Sequence, residues 1–154
     1  VYMLYSFTPA AVVSLKKSGL AKPANLAGKT LAAPVFDAGR KAFPAFAKSN
    51  SFDPASVKWQ SVDPAIRETL LAKGDVDAIT GFSFTSVLNM EARGVKESEL
   101  NVMLYNNFGV ELYGNAIIAH PKLIAEKPKA VEGFLRAFNK AVKETIANPD
   151  EAAT

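Results

Sequence analysis

Residues 31–48 read LAAPVFDAGRKAFPAFAK. Leu31-Ala32-Ala33, with Pro34 and Val35, form a short continuous apolar run, the pattern of a strand covered on both faces. The loop Phe36-Asp37-Ala38-Gly39-Arg40 follows, and helical spacing then runs from about Gly39 to Ser49. Two further stretches have the same order. VKWQSV (57–62) precedes a helix from Pro64 to Lys73, and VDAITGF (76–82) precedes a helix near Thr85 to Arg93. Asp63 can cap the second helix with Pro64 at its first position, where a missing N–H costs nothing. Gly74 and Gly94 supply stops. Successive strand-helix-strand units force parallel strands with right-handed crossovers. Ligands of such sheets bind at the carboxyl ends of the strands. Phe36–Arg40, Val62–Asp63 and Thr80–Phe84 are therefore predicted to share one edge.

The other elements depart from this order. AVVSLKK (11–17) reads as a strand through its adjacent valines, although Thr8-Pro9 could equally open a helix. NVMLYN (101–106) and GNAIIAH (114–120) read as two more strands. Pro128 opens the longest helix, to about Ala147. Val131, Phe134, Leu135, Phe138, Val142 and Ile146 lie on one stripe of it, as in a packed amphipathic helix. Asn148-Pro149 ends it.

Composition narrows the function classes. The 154 residues are 49% hydrophobic, enough for one ordinary domain with a sizeable core. The net charge of +3 comes from scattered basic residues, not the dense stripe that nucleic acid requires. With no cysteine there is no disulfide, thiolate metal site or cysteine nucleophile. No window is apolar enough to span a membrane, and no leader sequence is visible. The chain opens mid-pattern with VYMLYSF and stops at NPDEAAT inside what reads as another helix. A longer parent chain is the expectation.

Arg40 lies in or beside the first turn of its helix, where free N–H groups and a guanidinium can grip a carboxylate, sulfonate or phosphate. An exposed arginine without a ligand is the plainer alternative. Gly39 permits close backbone approach or merely completes a turn. TGFSF (80–84) offers hydroxyls, backbone donors and a stacking face, or else a helix start with Ser83 or Thr85 as cap. Asn106-Asn107-Phe108-Gly109 reads as a cleft wall or a turn. His120, the only histidine, stands before Pro121 and reads as solvated or packed. No P-loop, dinucleotide fingerprint or nucleophile elbow is present. No set of residues forms a catalytic constellation.

Three stretches carry a family resemblance: SGLAKPANLAGKTLAAPV, LLAKGDVDAITG, and YGNAIIAHPKLIAEKPKAVEGFLRAFNKAVKETIANPDEA. In order and spacing they resemble the NMT1/THI5-like binding proteins of ABC transporters, the branch named for pyrimidine-precursor, nitrate, sulfonate and taurine uptake. The resemblance implies a type II periplasmic-binding-protein-like fold. That is an αβα lobe with a mostly parallel sheet plus antiparallel crossing strands. Residues 1–154 are expected to form one such lobe, the second of two, with its hinge-crossing segments. VYMLYSF would arrive from the first lobe, and NVMLYNN and GNAIIAH would lie near the return crossing. The loop Phe36–Arg40 matches the family's ligand-facing loop, with Asp37 and Ala38 where that loop often carries a small or hydroxyl residue beside glycine.

The implied function is non-enzymatic capture of a small organic solute, anionic or aromatic, outside the cytoplasmic membrane. The protein would be periplasmic or lipid-anchored and would deliver the solute to an ABC permease. No cofactor, metal or nucleic acid is expected. The candidate site comprises Phe36, Asp37, Gly39 and Arg40 on one loop and Thr80, Gly81, Phe82 and Ser83 on another. Tyr5, Ser6 and Asn106 lie near the hinge. An isolated lobe would expose its cleft face and favour a homodimer. Two alternatives share the resemblance: a pyrimidine-precursor synthase using histidine chemistry, and the effector domain of a transcription regulator.

Overall fold

The computed structural model describes residues 2–153 and divides into two units, Tyr5–Gly114 and a second formed by residues 2–4 with 115–153. Two short strands come first in the chain, β1 (Tyr2–Met3) and β2 (Ala10–Leu15). Then follow β3 (Thr30–Ala33), α1 (Ala38–Ser49), β4 (Lys58–Ser61), α2 (Arg67–Lys73), β5 (Ala78–Phe82), α3 (Ser83–Glu91) and β6 (Leu100–Leu104).

The larger unit holds a five-stranded sheet in the order β4-β3-β5-β2-β6. β3 runs parallel to β4 and β5, and β2 runs antiparallel to β5 and β6. The carboxyl ends of β3, β4, β5 and β6 therefore lie on one edge, beside the start of β2. All six residues of β2 are buried. Ala10 and Val12 join the core on one face, with Leu31, Phe43 and Phe46. Ala11 and Val13 join the other, with Ile79, Leu71 and Met90. Burial on both sides is what makes residues 10–15 a strand and not a helix after Thr8-Pro9. Helix α1 covers one face and α2 and α3 the other, giving the three-layer αβα arrangement.

Local chemistry sets the helix boundaries. The Asp37 carboxylate accepts the Arg40 N–H at 2.8 Å and caps α1. Asp63 accepts the Ala65 N–H at 2.8 Å, but that cap serves a single turn, and α2 itself starts at Arg67, three residues past Pro64. Helix α3 starts at Ser83, earlier than Thr85, whose hydroxyl donates to the Phe82 carbonyl. Gly74 and Gly94 follow α2 and α3 with φ of 81° and 82°, the left-handed conformation that suits glycine at a helix end.

One aromatic cluster locks α1 to the sheet. Phe46 is fully buried and stacks on Tyr105, with ring centroids 4.6 Å apart and planes at 21°. Phe52 and Phe108 meet it edge-on. Tyr105 stands just past β6, and its hydroxyl donates to the Gly39 carbonyl at 2.9 Å.

In the smaller unit, β1 pairs antiparallel with β7 (Ala116–Ile117), so GNAIIAH contributes two strand residues. Three helices follow, α4 (Pro121–Glu126), α5 (Pro128–Ala147) and α6 (Pro149–Ala152). The α5 span agrees with the sequence reading. Its apolar stripe is less covered than a packed helix requires: no residue of α5 is buried, and Phe134 is 58% exposed. Tyr2 meets Phe138 edge-on and donates its hydroxyl to Asn139.

Truncating Phe46 should hurt most. Phe46→Ala is expected to cost about 3–5 kcal/mol, read as a lowered denaturant midpoint. Tyr105 adds a pH dependence. Burial first, and the Asp37 carboxylate second, hold its hydroxyl well above the ordinary 10.0. An acid whose pKa is raised by folding keeps its contribution below the unfolded pKa and loses it as pH rises toward the native one. Stability should therefore fall as pH rises above about 10, and less steeply in Tyr105→Phe, in urea titrations from pH 8 to 11.

Candidate functional site

The loops at the carboxyl edge are held in register by the strands beneath them. Ala33 at the end of β3 is paired with Ser61 at the end of β4. Phe82 at the end of β5 is paired with Ala10 at the start of β2, and the Ser83 N–H donates to the Pro9 carbonyl. The Asp37 N–H closes a turn onto the Pro34 carbonyl.

Asp37 is the meeting point of three elements. Its Oδ1 accepts the Arg40 N–H of α1 and the Thr80 hydroxyl of β5, each at 2.8 Å. Its Oδ2 faces Nη1 of Arg67, the first residue of α2, at 3.4 Å. Arg67 gives its Nε and Nη2 to Glu68 Oε1, at 3.0 and 2.6 Å. Ser86 of α3 donates to the same oxygen at 3.2 Å. Glu68 is 1% exposed, so its charge is compensated within the protein. Two glycines make room for the network. A Cβ on Gly81 would lie 2.7 Å from Ser86 Oγ and 3.0 Å from Arg67 Cζ. A Cβ on Gly39 would lie 3.1 Å from both Asp37 Oδ1 and Thr80 Cβ. Glycine at 39 therefore serves close packing of α1 on β5.

The structure brings Asp37 and Gly39, at the start of α1, into direct contact with Thr80 and Gly81, which lie buried inside β5. Phe36 projects beside them and is 71% exposed. Arg40 turns away from Asp37: its Nη1 donates to the Ala33 carbonyl at 3.1 Å and the Ser61 hydroxyl at 2.9 Å. Its guanidinium carbon lies 4.8 Å from the Trp59 ring centroid. Phe82 and Ser83 are half-buried. Phe84 sits between two rings, 6.0 Å from Phe82 and 6.1 Å from Tyr5. Ser6 is exposed in the approach to β2, and Asn106 is half-buried in the turn that carries Tyr105. His120 accepts the Lys122 N–H on Nδ1 and caps α4.

Arg67 and Glu68 were missed by sequence reasoning. The available signal was spacing: Arg67 stands four residues before the buried Leu71, on the same helix face. An arginine on an apolar face requires a buried partner.

Three comparisons bear on identity. The family model described as NMT1/THI5 like matches residues 1–152. The riboflavin-binding protein RibY of Chloroflexus aurantiacus is 29% identical over 154 residues, covering 99% of this chain and 42% of that protein. The chain thus spans less than half of that curated relative. Among solved structures, the periplasmic aliphatic sulphonate binding protein SsuA of Escherichia coli aligns with a TM-score of 0.74 at 12% identity. That alignment covers 92% of this chain and 44% of that one. A substrate-binding protein of an ABC uptake transporter from Streptococcus pneumoniae, with bound histidine, aligns at 0.66 and 18% identity. It covers 94% of this chain and 56% of that one. These identities establish a shared fold, the αβα lobe already described. With the family model matched over almost its whole length, the chain belongs to the NMT1/THI5-like family.

Proposed function

We propose that this chain is part of the extracytoplasmic solute-binding protein of an ABC importer, and that it binds rather than catalyses. In this reading residues 1–154 supply the second of two lobes together with its hinge-crossing segments. The solute sits on the edge formed by Phe36–Arg40 and Thr80–Ser83, and closure of the lobes delivers it to a permease. Closure is favoured only by the solute's higher affinity for the closed form. The protein works in the periplasm or tethered outside the cytoplasmic membrane.

The observation that carries the reading is the setting of aromatic rings at this edge. Phe36 stands 71% exposed immediately before a fixed polar hub, and Phe84, 43% exposed, is flanked by the rings of Phe82 and Tyr5. Binding sites for organic solutes are mostly apolar, with a few oriented polar groups. Large rings bring contact area at little entropic cost. The solute is accordingly an organic molecule with an aromatic part. A flat heterocycle of the riboflavin kind is the first to test, given the name of the curated relative. His120, the one histidine, uses a ring nitrogen as a helix cap, which agrees with binding over catalysis.

Titration of the protein into riboflavin, followed by flavin fluorescence, should give saturable quenching. Phe36→Ala should weaken it by roughly tenfold while leaving the melting temperature unchanged, as fits an exposed ring that contacts solute. Saturable binding of alkanesulfonates, with none of riboflavin or of a pyrimidine, would overturn the aromatic reading. Failure to bind any of the three would overturn the binding role.

A further inference from the structure

The donors around Asp37 are those that a bound oxyanion would recruit. A backbone N–H from the first turn of a twelve-residue helix, a threonine hydroxyl and a guanidinium nitrogen come from three elements and converge on one carboxylate. Loop tension does not account for this convergence, because the donors belong to α1, β5 and α2, which the core fixes independently. Gly39 and Gly81 keep it compact, since a Cβ at either would press on Asp37 or Arg67. The carboxylate fills the position from within the chain, and the exposed Phe36 stands next to it.

The geometry points to Asp37 as a specificity-determining residue: an internal anion that occupies the oxyanion position and turns away solutes presenting a carboxylate or sulfonate there. The inference rests on the solute-binding reading and narrows its solute class to molecules uncharged or cationic at the contacting group. Charge balance supports it. Arg67 already faces two carboxylates, Asp37 and Glu68, and the Arg40 guanidinium is committed to Ala33, Ser61 and Trp59. An incoming anion would meet Asp37 with no uncommitted guanidinium beside it among the described residues.

The test is a charge-removing substitution that keeps the helix cap. Asp37→Ser retains an N-cap oxygen for the Arg40 N–H and frees Thr80 and Arg67. In calorimetric titration with methanesulfonate at fixed ionic strength, Asp37→Ser should bind roughly tenfold or more tightly than the unaltered chain. Adding Thr80→Val to Asp37→Ser should reverse most of the gain. Should Asp37→Ser fail to fold, Asp37→Asn, which fills the same volume without charge, should show increased thermal protection by methanesulfonate over matched chloride. Equal methanesulfonate affinity in the unaltered chain and Asp37→Ser would overturn the inference, as would a gain that survives Thr80→Val. A chain that binds riboflavin but acquires no anion affinity on Asp37→Ser refutes this inference alone. A chain that binds no solute refutes the reading beneath it.

Discussion

Two oxygens of Asp37 receive donors from a helix start, the middle of a strand and a second helix start, at 2.8, 2.8 and 3.4 Å. Each donor is carried by an element that the core positions, and the carboxylate ties α1, β5 and α2 together where they meet. The segments at residues 36–40 and 80–83, where β5 passes into α3, are thereby joined. The arrangement requires closely packed backbones, and that requirement explains glycine at 39 and 81. Neither position needs a left-handed backbone. Both need the volume a side chain would take.

The rest of the larger unit serves to hold that surface still. β2 is buried along its whole length and links the two apolar layers. Phe46 and Tyr105 carry the constraint from the core to the edge, because the tyrosine that stacks on Phe46 also donates to Gly39. A change deep in the aromatic cluster therefore reaches the start of α1 through one ring and one hydrogen bond. The arginine that most resembled a ligand grip, Arg40, works in the same scaffold by tying the ends of β3 and β4 together and resting on Trp59.

Much of this was legible from local pattern. Short apolar runs followed by Asp37, by Asp63-Pro64 and by TGFSF marked three strands leading into helices, and parallel order placed their ends on one edge. The strand at residues 10–15 was ambiguous because Thr8-Pro9 also suits a helix start, and burial on both faces decided it. The roles of Asp37, Arg40 and Arg67 were not legible, for a physical reason. Asp37 and Arg67 stand thirty residues apart and meet only because β3 and β5 are neighbours in the sheet. Sequence shows two charges in the Asp37–Arg40 loop and does not reveal the partner of either. In the structure Asp37 takes the backbone of residue 40 and the side chain of residue 67. The α5 stripe was visible from its spacing. The extent of its cover was not, since spacing reports which residues share a face and nothing of what lies opposite.

The buried charges raise the question of why such a network persists. Removing ions from water is expensive, and well-packed apolar replacements often leave stability unchanged or improve it. Stability is therefore a poor account of Arg67 between Asp37 and Glu68. Geometry is a better one. An apolar contact tolerates sliding by a fraction of an ångström, whereas hydrogen bonds weaken steeply when misaligned. On the proposed reading this surface meets a solute, and it gains from being ordered beforehand, because ordering it at the moment of binding would subtract from affinity. Glu68 strengthens this account. It takes two nitrogens of Arg67 and the Ser86 hydroxyl on one oxygen, leaving Nη1 directed at Asp37. The guanidinium thus has one orientation, and through it Asp37 has one as well. The edge is held in one geometry by charges that are paired and largely withdrawn from water, and on the proposed reading such an edge can favour one shape of solute over another.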